Sequence, residues 1–109
     1  MADHPIQPPE KIVVKIDEDL EDLIPGFLHN RRSDVQVVTT ALSQGDFETI
    51  RVLGHSMKGA GGGYGFDAIT DIGKALEEAA QEHEAEKINQ WIRELATYLE
   101  LIEVIYEPC

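Results

Sequence analysis

Cysteine is nearly missing from this chain. Its one example, Cys109, stands last in 109 residues and has no intrachain partner, so no internal disulfide staples the fold. That usage suits a reducing compartment. Basic side chains are scarce too. Nine lysines and arginines face 21 aspartates and glutamates, a net charge of −12, so non-specific attraction to nucleic acid or to an anionic membrane is opposed over most of the surface. Uninterrupted apolar runs are only a few residues long, and no basic segment leads into an apolar stretch near Met1. Neither a membrane span nor a signal peptide is expected, and the cytoplasm is the expected location. Repeats at solenoid periods and low-complexity blocks are also lacking.

What remains is the composition of one ordinary domain, 42% hydrophobic and 28% charged. Met1 to Glu10 carries Pro5, Pro8 and Pro9 with little apolar content, and Ile12 to Ile16 alternates weakly. Residues 1–16 therefore read as an extended, poorly ordered tail, and residues 17–109 as the domain. Asp17 reads as the cap of a short extra helix near Glu18 to Leu23, after which Pro25 restarts the chain. Phe27/Leu28, Val35, Val38 and Leu42 then recur at helical steps. Gly45-Asp46 reads as a stop followed by a start. The next stripe is Phe47, Ile50, Leu53/Gly54, Met57, Gly61 and Tyr64, with Gly65 ending it. Asp67 is expected to cap a helix with Ile69, Ile72/Gly73, Leu76 and Ala79/Ala80 inward. A last helix carries Ile88, Trp91/Ile92, Leu95, Leu99, Ile102 and Tyr106, and its start falls between Gln81 and Glu86. Four principal helices with short connections predict an all-α antiparallel four-helix bundle, with a short extra N-terminal helix.

Glycine is abundant in one place only: five of the seven residues from Gly59 to Gly65. Each glycine inside a helix costs roughly 1 kcal/mol relative to alanine, so something must need the room. At about 100° per residue, with Ile50 at zero, Phe47, Gly54, Met57, Gly61 and Tyr64 fall within roughly 60° of it. His55 falls at roughly 140° and points outward. Gly59 and Gly62 share its side, and Lys58 flanks it one turn on. The outward glycines clear an approach to His55, while inward Gly61 admits a neighbouring helix.

A neutral imidazole, ordinarily titrating near pH 6.5, is a competent nucleophile. A phosphoryl group there would add roughly −1.5 to −2 charges, which Lys58 is placed to offset. The chain has no GxxxxGK[ST] loop and no kinase signature, so phosphate would come from, and pass to, another protein.

His55-Ser56-Met57-Lys58-Gly59-Ala60 followed by Tyr64-Gly65-Phe66 resembles the signature of histidine-containing phosphotransfer (HPt) domains of bacterial two-component phosphorelays. Further stretches look similar: Asp19 to Leu28, Asn30 to Val35, Gly45 to Phe47, and Ile72-Gly73 through Leu76 to Ala80. The likeness spans about Asp17 to Tyr106. It implies a four-helix bundle acting as a phosphocarrier, not an autonomous enzyme. The phosphoryl group would be exchanged with the aspartate of a response-regulator receiver domain, which supplies Mg²⁺. A hybrid or sensor histidine kinase is the other implied partner. By resemblance His55 is the phosphoacceptor, Lys58 steadies the phosphate, and small Gly59 permits access. Some members carry glutamine where Glu77 stands; Glu77 could accept a hydrogen bond from the ring or face solvent. Serine or alanine is more usual at Gly61 to Gly63.

Docking is expected on the outer faces of the His55 helix and the next one, through Arg51, Val52, Gly62, Phe66, Thr70 and Glu77. His4, His29 and His83 read as ordinary surface residues, and Glu77-Glu78 with Glu82, Glu84 and Glu86 as a solvated face. Trp91, Tyr98 and Tyr106 read as core. Dispersed histidines and a single cysteine predict no metal site. No cofactor, nucleic acid or membrane is expected as a partner, and the chain is expected to be a monomer. The competing reading is an HPt-like module that docks on a kinase or receiver without being phosphorylated. An enzyme using His55 as general base would need a concave pocket, against the convex placement inferred here.

Overall fold

Pro25 fixes where the first helix can begin, because a proline is tolerated in a first turn and not beyond it. In the computed structural model, which describes residues 11–108, it lies in the first turn of α1 (Ile24–Ser43). Gly45 follows with a φ of +68°, the left-handed geometry glycine adopts without strain. Asp46 then caps α2 (Phe47–Gly61): its carboxylate accepts the Thr49 amide at 3.1 Å and the Thr49 hydroxyl at 2.6 Å. A 3-10 turn, Gly62–Tyr64, prolongs α2, and Gly65 at φ +89° turns the chain. Next come α3 (Asp67–Gln81) and α4 (Ala85–Leu101). Connections through residues 44–46, 62–66 and 82–84 are short enough to favour antiparallel neighbours. No helix among the described residues is long and apolar enough to cross a membrane.

The architecture departs from an all-α one at both ends. Ile12–Asp17 forms β1 and Ile102–Glu107 forms β2, paired in parallel with Ile12 opposite Ile102 and Asp17 opposite Glu107. The predicted last helix therefore stops at Leu101, and Ile102 and Tyr106 belong to a strand. Their alternation with Val104 puts all three half-buried against the core, while Val13 and Ile105 face out at 51% and 42% exposure. Ile16 is buried in the core, so the expected boundary at residue 17 cuts through a strand that belongs to the domain. Met1 to Glu10, with His4, Pro5, Pro8 and Pro9, and Cys109 lie outside the described residues.

The short N-terminal helix expected over Glu18 to Leu23 is instead one 3-10 turn, Glu18–Leu20, whose cap Asp17 accepts the Asp19 amide at 2.9 Å. Glu18 and Asp19 are exposed and Leu20 half-buried. With so little apolar surface to bury, nothing offsets the nucleation cost of a full helix. Asp67 is the first residue of α3, not its cap; Phe66 holds the cap position with no side-chain hydrogen bond.

The helices bury one core, which includes Ile24, Val38, Ile50, Met57, Phe66, Ile69, Leu76, Ile88 and Leu95. Glycines set the closest packing, between α2 and α3. A Cβ built on Gly54 would lie 2.7 Å from the Gly73 carbonyl oxygen and 2.7 Å from the Glu77 amide, and one on Gly73 would lie 2.6 Å from the Lys58 amide. Gly61 repeats the contact one end further on, 2.6 Å from the Thr70 amide. Real Cβ atoms do not approach backbone so closely. The two backbones therefore cross in contact, and that crossing brings residue 77 of α3 beside residues 55 and 58 of α2.

Candidate functional site

Two turns of α2 and one of α3 assemble the site. His55 projects from α2 with 66% of its side chain exposed, and Glu77 of α3 reaches it from beneath with only 12% exposed. The Glu77 carboxylate is shared between two partners. Oε2 lies 2.9 Å from His55 Nδ1, and Oε1 accepts from Lys58 Nζ at 2.8 Å. The Lys58 hydrogen bond holds the Glu77 carboxyl below its ordinary range; desolvation opposes this, and the bond to His55 and both neighbouring charges reinforce it. Glu77 is therefore ionised at neutral pH and can only accept. Nδ1 must carry the proton it donates, which leaves the Nε2 lone pair as the free, solvent-facing nucleophilic end of the ring.

The surface of α2 beyond His55 is kept low by missing side chains. A Cβ on Gly59 or Gly63 would meet nothing within 4 Å, and one on Gly62 would meet only the Thr70 hydroxyl at 3.5 Å. These outward glycines differ in kind from Gly54, Gly61 and Gly73, which are closed against backbone. Lys58, 37% exposed, uses one of its three N–H donors on Glu77 and retains the others for an anion held beside the ring.

Of the docking residues expected from sequence, Val52 is half exposed, and Arg51 lies on the same helix face as His55, tied to Glu48 by bonds of 2.9 and 2.6 Å. Phe66 is a correction: it is 0% exposed and its ring lies 5.4 Å from that of Phe27. The left-handed turn at Gly65 directs it into the core, so it can touch no partner. Thr70 is half-buried, its hydroxyl enclosed against Gly61 and without a hydrogen-bond partner among the described residues. Glu77 belongs inside the site, not to a docking rim. Of the remaining histidines described, His29 is exposed, and His83 stacks on Phe47 at 4.4 Å with 8° between the rings. Among the described residues no cluster of three His, Cys, Asp or Glu could hold a metal ion.

Sequence reasoning missed the Gly54–Gly73 crossing, although the spacing of seven between Gly54 and Gly61 placed both on one inward face. It is this crossing that delivers Glu77 to the imidazole. Replacing Glu77 by glutamine keeps an acceptor for Nδ1–H but removes the charge that favours an imidazolium. Any reaction at Nε2 is expected to slow by about tenfold in the variant, the difference between a charged and a neutral hydrogen bond, measured as a rate at fixed pH. Because its pKa is depressed, wild-type Glu77 contributes stability at neutral pH. That contribution is lost only as acidification protonates it, below its ordinary value of 4.5.

Comparison with curated proteins and with solved structures returns no match. The family model of the Hpt domain matches residues 18–104, which takes in α1 to α4 and both the His55 and Glu77 sides of the site. With most of its length so matched, the chain belongs to the Hpt domain family.

Proposed function

We propose that this protein is a phosphorelay intermediate which accepts a phosphoryl group on His55 Nε2 and exchanges it with an aspartate of a response-regulator receiver domain. Family membership carries the coarser statement, histidine phosphotransfer in two-component signalling. The assignment to this atom rests on one observation: Glu77 ties up Nδ1 at 2.9 Å while the rest of the ring stands in solvent. In the transfer, the Nε2 lone pair attacks the phosphorus of the partner's aspartyl phosphate. The N–P bond forms, the P–O bond to the aspartate breaks, and the carboxylate leaves. No proton need depart, because Nδ1 keeps its own and the developing imidazolium is balanced by the Glu77 carboxylate. Lys58 offsets the charge of the incoming phosphoryl oxygens. Mg²⁺ and the groups that activate the aspartate belong to the receiver; a hybrid or sensor histidine kinase feeds the relay.

Incubation with a phosphorylated receiver domain tests this reading. Label should move to the present chain and be stable in alkali and labile in acid, as a phosphoramidate is. Absence of transfer to this chain from every receiver tried, with stable complexes nevertheless formed, would replace the proposal with a module that docks without being phosphorylated.

Access is separable from chemistry. Gly59→Phe places a ring where a glycine now leaves open space, and transfer from the receiver is expected to fall by about a hundredfold, the cost of a misplacement on the order of 1 Å. Phosphoramidate, a donor small enough to reach Nε2 without docking, should phosphorylate wild type and Gly59→Phe at similar rates.

A further inference from the structure

The other flank of α3 carries a surface whose lining includes neither His55, Lys58 nor Glu77. α3 turns Gly73 and Glu77 toward α2. Toward α4 it turns Ala68 and Ile72, which with Trp91 and Tyr98 of α4 enclose a mainly apolar trough of about 400 Å³. The small side chain of Ala68 leaves the α3 wall low, and Trp91 and Tyr98 form the opposite wall two turns apart. Asp71 stands on one wall and Glu94 on the other, and among the described residues no cation lines the trough. Past Trp91 an adjoining hollow adds Glu78 and Glu82, while its lysine, Lys87, is tied to Glu84 at 2.8 Å.

We propose that this trough docks a segment of a partner protein in which an apolar side chain is flanked by lysine or arginine. The volume is near the lower end for a ligand site, roughly 300–1,000 Å³, and suits one or two side chains. Apolar walls select an aliphatic residue, and a carboxylate on each side selects cations next to it. A second copy of this chain is the disfavoured occupant, since each copy carries a net charge of −12 and would bring acid to acid. Because the trough and His55 lie on opposite flanks of α3, a partner held here leaves the imidazole free to meet a receiver. The arrangement would tether the carrier without blocking transfer.

Trp91 is the only tryptophan in the chain and reports on the trough directly. The probe is the peptide acetyl-Arg-Leu-Arg-Leu-Arg-amide, with acetyl-Glu-Leu-Glu-Leu-Glu-amide as its counterpart. Titration of the whole chain with the basic peptide should give a saturable change in Trp91 fluorescence. Amide shifts should centre on Ala68, Asp71, Trp91 and Glu94. Asp71→Asn and Glu94→Gln, both at exposed positions, should each weaken binding by about two- to fivefold, the scale of an exposed charge pair, and leave transfer to His55 unchanged. The proposal is overturned by no saturable response, by equal affinity for the acidic peptide, or by shifts centred on His55. A Trp91 signal that grows with protein concentration alone would also overturn it, because a second copy would then be the occupant.

Discussion

His55→Gln is expected to keep the fold and take up no phosphoryl group at all. The side chain is two-thirds exposed and its one described hydrogen bond is to Glu77, so the substitution leaves the core untouched and retains a donor for the carboxylate. Stability should change by no more than about 0.5 kcal/mol, the usual range for a surface position. Label from a phosphorylated receiver, by contrast, should fall to background. His29→Gln and His83→Gln supply the controls and should be labelled as wild type is. His83 has one ring face covered by Phe47, and neither it nor His29 has a described lysine and carboxylate arranged around it. Label retained in His55→Gln would move the site elsewhere.

Gly73→Val should act on the fold itself. Any Cβ at this position meets the Lys58 amide at 2.6 Å, the Gly54 carbonyl oxygen at 2.7 Å and Met57 Cβ at 2.7 Å. Two of those atoms are backbone in a facing helix and cannot rotate aside, so α2 and α3 must part along their length. Overpacking of this kind costs about 3 kcal/mol, or roughly 12–24 °C in Tm for a domain of this size. Separation also withdraws Glu77 from the imidazole, so the surviving folded fraction should transfer more slowly. Gly59→Ala makes the opposite prediction on the same pair of helices. Nothing lies within 4 Å of its Cβ, and relief of the glycine penalty should stabilise α2 by up to about 1 kcal/mol. Thermal unfolding of the two variants beside wild type reads both signs. A neutral Gly73→Val would mean that the crossing is looser than its distances require.

Local signals carried much of the fold into the sequence. Gly45-Asp46 is legible because a left-handed residue and a capping carboxylate act within four positions. The stripe from Ile50 to Gly61 is legible because helical periodicity is a property of one segment. The same wheel left His55 outside and Gly61 inside. Parallel pairing of residues 12–17 with residues 102–107 was not legible, because partners so distant in the chain share no local pattern. Ile102 and Tyr106, four apart, also continue the helical stripe of Leu95 and Leu99, so the spacing fits both structures until Ile102 adopts a ψ of 140°. Phe66 was misplaced although a helix end at Gly65 was expected: which way the chain leaves that end depends on the φ of +89° there, and it turns Phe66 into the core. The role of Glu77 depends on how α3 is registered against α2. That register is set by Gly54 meeting Gly73, a contact no periodicity within either helix reveals.

If Glu77 holds the Nδ1 proton and so leaves Nε2 as the reacting nitrogen, nitrogen-15 NMR of the His55 ring before and after phosphorylation will show it. Nδ1 should be protonated in the free protein, and phosphorus should be coupled to Nε2 in the modified one. Phosphorus on Nδ1, or a free ring protonated at Nε2, would overturn the proposed role of Glu77.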